Sequence, residues 1–189
     1  FEEGVRASLT GMALLALANP AAAFEFQRAI TLETPPAPVQ FLLAASRALS
    51  GRDQEAIAGW QAARAAGFAP ALVDGVIAES YLRIKDFPRA AAVMPVRPSS
   101  RDRAELMTFA ATRIAVGREA EAVTVLDDLL AGNPGDLDAR WLLVHAVYAQ
   151  IVNGDSSARD RFLIEAARYV AANGAHRALA SAWREALLR

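Results

Sequence analysis

Alanine recurs in this chain at an interval that constrains the fold more than any other feature. Ala22, Ala56, Ala90 and Ala122 lie 34, 34 and 32 residues apart, each early in a stretch with helical patterning. Four residues after each stands a larger apolar side chain: Phe26, Trp60, Met94 and Leu126. Three further on are Ala29, Ala63, Arg97 and Leu129, of which only Arg97 departs from the apolar pattern. Thirteen residues before the alanines come Leu9, Leu43, Ile77 and Phe109, followed by the small residues Thr10, Ala44, Ala78 and Ala110. A fifth copy starts near Leu137 and puts Leu143 and Val144 at these last two places. Prolines close the copies, at Pro35-Pro36, Pro70 and Pro134, and earlier in the third copy, at Pro95 and Pro98. Self-similarity at such a period belongs to stacked supersecondary units.

Composition agrees. The chain has 189 residues, 44 of them alanine, is 54% apolar and only 7% aromatic. That is too apolar for disorder and too poor in β-branched and aromatic residues for an all-β fold. A net charge of −1 supplies no cationic field for nucleic acid or anionic lipid. With no cysteine, disulfides, thiolate zinc sites and cysteine nucleophiles are excluded, and cytoplasm and periplasm suit the chain equally. No apolar run is long enough to span a membrane. Lys85 is the only lysine, a bias that with the alanine excess fits a GC-rich bacterial genome. The chain opens on Phe1 rather than Met, which suggests a trimmed chain or a piece of a longer polypeptide.

The 34-residue period, the paired helices, the large-then-small residues of the first helix, the fixed small residue of the second and the closing proline resemble the tetratricopeptide repeat (TPR). The resemblance covers nearly the whole chain. It implies an all-α, right-handed solenoid: one domain over 1–189, with repeats near 3–36, 37–70, 71–102, 103–136 and 137–173 and a capping helix at 175–188. Small residues let antiparallel helices approach, and large ones fill the space between successive pairs. The repeats are degenerate. The family's aromatic fourth position holds Arg6, Gln40, Asp74, Leu106 and Arg140, and tyrosine stands at the eleventh only once, as Tyr81.

First helices are predicted near 4–17, 37–49, 71–84, 102–115 and 137–152, and second helices near 20–31, 53–66, 87–94, 119–131 and 158–172. Pro20 fits a helix start, Gly51 and Gly117 fit the turns inside repeats, and Asp136 and Ser157 fit helix caps. Ser99-Ser100-Arg101-Asp102 also reads as a cap and helix start. Asn173-Gly174 fits a left-handed stop. In the last segment Leu179, Trp183 and Leu187 form one stripe, either covering the last repeat, swapping onto a neighbour or folding into the groove. Pro95 and Pro98 shorten the third repeat's second helix to roughly two turns, so looser packing, a hinge or a change of pitch is expected there.

Residues with catalytic or ligating chemistry do not assemble along the sequence. His145 and His176 each lack a second ligand one turn away, Asp127-Asp128 point about 100° apart on a helix, and no glycine-rich loop follows a strand. A non-enzyme with no metal and no cofactor is expected. In the family, first helices line the concave face. The resemblance therefore assigns partner contact to Phe41, Ala45, Glu79, Arg83, Met107, Ala111, Trp141, His145 and Tyr148. The lysines and asparagines with which chaperone-binding members hold a terminal carboxylate are missing from these positions. The implied partner is an apolar peptide or amphipathic helix of another protein, or a flanking part of the same chain. Trp141 and Tyr148, seven residues apart on one helix face, fit core packing as well as docking. The rival readings are a self-assembling spacer and an accessory domain of a larger enzyme.

Overall fold

In the computed structural model, the residues described are all but 1, 33–36, 96, 97, 99–101 and 189, less the side chains of Glu2, Val5, Leu9, Thr10 and Ala71. The expected break at Pro35-Pro36, the misfit Arg97, the segment Ser99-Ser100-Arg101 and the side chains of Leu9 and Thr10 therefore lie outside the described residues.

Among those residues the chain is helical throughout, with no strand. It forms two compact units, Phe1–Met94 and Pro95–Arg189. The first contains α1 (Glu2–Ala16), α2 (Ala22–Leu32), α3 (Ala37–Leu49), α4 (Asp53–Ala65), α5 (Pro70–Arg83) and α6 (Phe87–Val93). The second contains α7 (Arg103–Ala115), α8 (Glu119–Gly132), α9 (Leu137–Val152), α10 (Arg159–Ala171) and α11 (Arg177–Leu188), with a 3-10 turn at Ser156–Ala158. Within each unit every helix packs on the next in sequence, and first helices also touch one another, α1 with α3 and α7 with α9.

The alanine register organises the core. Ala22, Ala56, Ala90 and Ala122 are all completely buried, as are Ala44, Ala78, Ala110 and Val144. Beside them Phe26, Trp60, Met94 and Leu126 are buried, as are Leu43, Ile77, Phe109 and Leu143. The close approach is visible at Gly59, where a methyl group would lie 3.0 Å from the Ala44 side chain. Gly11 is tighter still: a methyl there would come within 2.7 Å of the Phe26 ring.

Turns between a first helix and its second share one device. Ala18, Gly51, Lys85, Gly117 and Gly154 all have positive φ. The residue after each donates its N–H five residues back, as Arg52 does to Arg47 (2.9 Å), Asp86 to Tyr81 (2.8 Å) and Arg118 to Arg113 (2.8 Å). This left-handed closure satisfies carbonyls that the helix end leaves open. Asn173 ends α10 in the same left-handed conformation, at φ 56°.

Helix starts follow the expectations in part. Asp136 and Asp102 cap α9 and α7, accepting from the N–H groups of Ala139 and Glu105. Ser157 does not cap the helix that follows it. Asp155 instead caps a 3-10 turn over Ser156–Ala158, accepting from both the N–H and the hydroxyl of Ser157, and α10 itself starts without a side-chain cap. Pro20 stands two residues before α2, in a turn held by Asn19, whose side chain accepts the N–H of Ala21 at 2.9 Å. The helix expected to be shortened by prolines is short: α6 has seven residues and ends at the extended Met94 before Pro95.

Candidate functional site

Each unit holds part of the candidate set. In the first, Phe41 and Ala45 lie on α3, and Glu79 and Arg83 on α5; in the second, Met107 and Ala111 lie on α7, and Trp141, His145 and Tyr148 on α9. None belongs to the fully buried core: Glu79, Arg83 and His145 are exposed and the other six are half-buried. Helix periodicity explains the contrast with their neighbours. Leu43 and Ala44 turn inward between Phe41 and Ala45, and Leu143 and Val144 do so between Trp141 and His145.

On the first unit's face, Phe41 is fixed by Trp60 and Phe68. Its ring centroid lies 6.2 Å from Trp60 and 4.7 Å from Phe68, and its carbonyl accepts the Trp60 indole N–H at 3.2 Å. Arg83 is committed within the protein. Its Nε and Nη2 donate to Asp53 Oδ1 at 2.9 and 2.6 Å, and its Nη1 donates to Glu79 Oε1 at 2.7 Å. The buried Ser80 hydroxyl donates to the same Asp53 oxygen at 2.8 Å. Burial opposes the Asp53 charge, but hydrogen bonds from Arg83 and Ser80 outweigh it and hold the carboxyl below its ordinary range. Arg83 thus ties α5 to the start of α4, and Glu79 is held beside it.

On the second unit's face the aromatic residues do come together, and with partners from outside α9. Trp183 of α11 lies 5.5 Å from Trp141, 5.9 Å from His145 and 4.3 Å from Tyr148, nearly parallel to Trp141 and Tyr148. His176 stacks on Trp141 at 4.6 Å, and Tyr169 closes the cluster from α10 at 5.4 Å. Tyr169 also fixes the turn into α11, its hydroxyl accepting the His176 N–H at 2.9 Å. Gly174 is required there, since a methyl group would stand 2.1 Å from the Tyr169 ring. His145 keeps one edge open to solvent, while enclosure by the indoles lowers its pKa by disfavouring the charged ring.

The expected stripe of α11 holds at Trp183 and Leu187 and differs only at its first position. Leu179 is 44% exposed, and Ala180, completely buried, takes its place with the half-buried Trp183 and Leu187. Trp141 and Tyr148 are consequently packing residues and surface residues together, which the spacing of seven left open.

A cleft of about 1250 Å³ on the α7–α8 face was not anticipated. Leu106, Phe109, Val125 and Leu129 line it, with charged pairs at its two ends. At one end Arg103 holds Asp136 through two nitrogens, Nη2 at 2.8 Å, and Asp138 at 3.0 Å; at the other Arg118 pairs with Glu121. Its signal in the sequence is the run Glu121, Thr124, Val125, Asp128, Leu129 and Gly132, one face of α8 by helical spacing. Hydrogen bonds from Arg103 hold the Asp136 carboxyl down at about 2, helped by the Ala139 N–H against the cost of burial.

Among the described residues no group of three or more histidine, aspartate or glutamate side chains could hold a metal ion. No described helix is long and apolar enough to cross a membrane. Comparison with protein-family models and with curated proteins gave no match.

Proposed function

We propose that this chain is a non-catalytic interaction module of five degenerate TPR-type hairpins in a right-handed stack, closed by α11, whose first-helix face binds an apolar peptide or amphipathic helix of another protein. The observation that carries this reading is the exposure pattern. Apolar side chains on α3, α7 and α9 remain half-open to solvent immediately beside residues that are fully buried. Apolar side chains left partly open on one helix face are what a docking surface offers to a partner. The clustered charges support a structural role for themselves: Arg83 with Asp53, Arg103 with Asp136, and Arg140 with Glu165 each join one helix or turn to another.

Selection of peptides from a random library on the full chain tests this. Enriched peptides should be amphipathic and apolar, and Met107→Glu should weaken them by about 30-fold, the loss of roughly 2 kcal/mol typical of a binding hot spot. Enrichment of charged tails, or affinity indifferent to Met107→Glu and Phe41→Ala, would contradict it.

Self-assembly is a second reading, favoured by Met12, Leu17 and Phe24, which are 41%, 77% and 69% exposed on the first hairpin. Light scattering across a concentration series decides it: rising mass that Phe24→Ser abolishes supports stacking of copies, and a constant monomer mass removes it.

A further inference from the structure

α11 is seated unlike the other helices of its unit. Ala180 is its one fully buried residue among those described, and Ser181, Trp183 and Leu187 are half-buried; the remainder face solvent. α10, by comparison, buries Phe162, Glu165, Ala166 and Tyr169. The hold of α11 on α9 is concentrated in a single indole, since Trp183 meets Trp141, His145 and Tyr148 together. Near its end the Leu187 carbonyl accepts a hydrogen bond from Arg159, an exposed contact that water can replace.

α11 packs on α10 and covers the α9 aromatic face through Trp183, beside His176 and Tyr169. We propose that α11 is a displaceable occupant of the α9 aromatic face, and that the partner this face accepts is a helix of the same chemistry. That partner carries a small residue, an aromatic three positions later and a leucine four beyond it, the spacing of Ala180, Trp183 and Leu187. The proposal rests on the reading of the first-helix face given above and deepens it by naming the partner's pattern. It also makes the site self-limiting: apparent affinity for the incoming helix is reduced by the fraction of molecules in which α11 is seated.

The test uses the full chain and a fluorescent synthetic peptide spanning residues 175–188. Trp183→Ala loosens the internal helix and should raise affinity for the peptide by about tenfold or more over the unaltered chain. Adding Tyr148→Ala to that variant should abolish the gain, and a peptide lacking its tryptophan should not bind. Equal affinity of the unaltered and Trp183→Ala chains, or no binding to either, with helicity retained by circular dichroism, would overturn the proposal. Should Trp183→Ala lose helicity, Trp183→Leu keeps most of the volume without the flat ring and is read by the same two outcomes. If the peptide fails while library peptides still depend on Met107 and Phe41, the displaceable role of α11 falls and the binding face stands.

Discussion

Trp183 of α11 lies flat on Tyr148 of α9, ring centroids 4.3 Å apart and planes within 2°. These residues are 35 positions apart in sequence, and the contact joins α11 to α9, whose face is proposed above for partners. Replacing Trp183 with alanine removes three ring contacts and a half-buried indole, and should destabilise the protein by about 2 kcal/mol, below the range for a fully buried tryptophan. Chemical denaturation followed by circular dichroism measures it. An unchanged midpoint would mean that the indole contributes nothing to folding.

Lys85 stands where three sibling turns place glycine, at φ 61° against 74° for Gly51 and 73° for Gly117. A side chain in this region carries a steric cost that glycine does not. Lys85→Gly should therefore stabilise the chain by about 0.5–1 kcal/mol, and Gly117→Ala should cost about 1 kcal/mol. Nothing lies within 4 Å of a methyl at Gly117, so the second effect is conformational alone. Thermal melts of the two variants should move in opposite directions.

Asp136 gives the chain an acid-sensitive joint. Its carboxyl is held at about 2 against an ordinary 3.8, first by hydrogen bonds from Arg103. Because the folded value is depressed, the stabilisation is present above pH 4 and is lost as pH falls from there through about 2. Arg103 is half-exposed, so the screened contribution is on the order of 1–2 kcal/mol. Asp136→Asn should flatten the pH dependence of unfolding in this window. A slope identical to that of the unaltered chain would locate the acid sensitivity elsewhere.

α6 has seven residues against fourteen in α8, so few of its amides have an intrahelical acceptor. Hydrogen exchange in Phe87–Val93 should run at least about tenfold faster than in Glu119–Gly132. Equal protection would show that packing compensates for the missing turns.

The fold was legible because its signal is repeated. The alanines at Ala22, Ala56, Ala90 and Ala122 are each free of exposure, and the helices fall within a few residues of where periodicity and punctuation place them. Local competition was less legible. Asp155 and Ser157 are both good caps, and Ser157 is taken into the 3-10 turn that Asp155 caps. A helix face can be read from spacing, but the residue that covers it cannot. Trp141 and Tyr148 share a face by their separation of seven, whereas Trp183, Tyr169 and His176 reach them only through tertiary packing. The Arg83–Asp53 pair, 30 residues apart, was invisible for the same reason: charge pairs across helices leave no periodic trace.

The central claim, that first helices present the binding face, is tested most directly by amide chemical-shift mapping on the full chain with a library-selected peptide. The account predicts shifts at Met107 and Ala111 of α7, with Ala120 and Thr124 of α8 unmoved. Shifts confined to second helices or turns would contradict it.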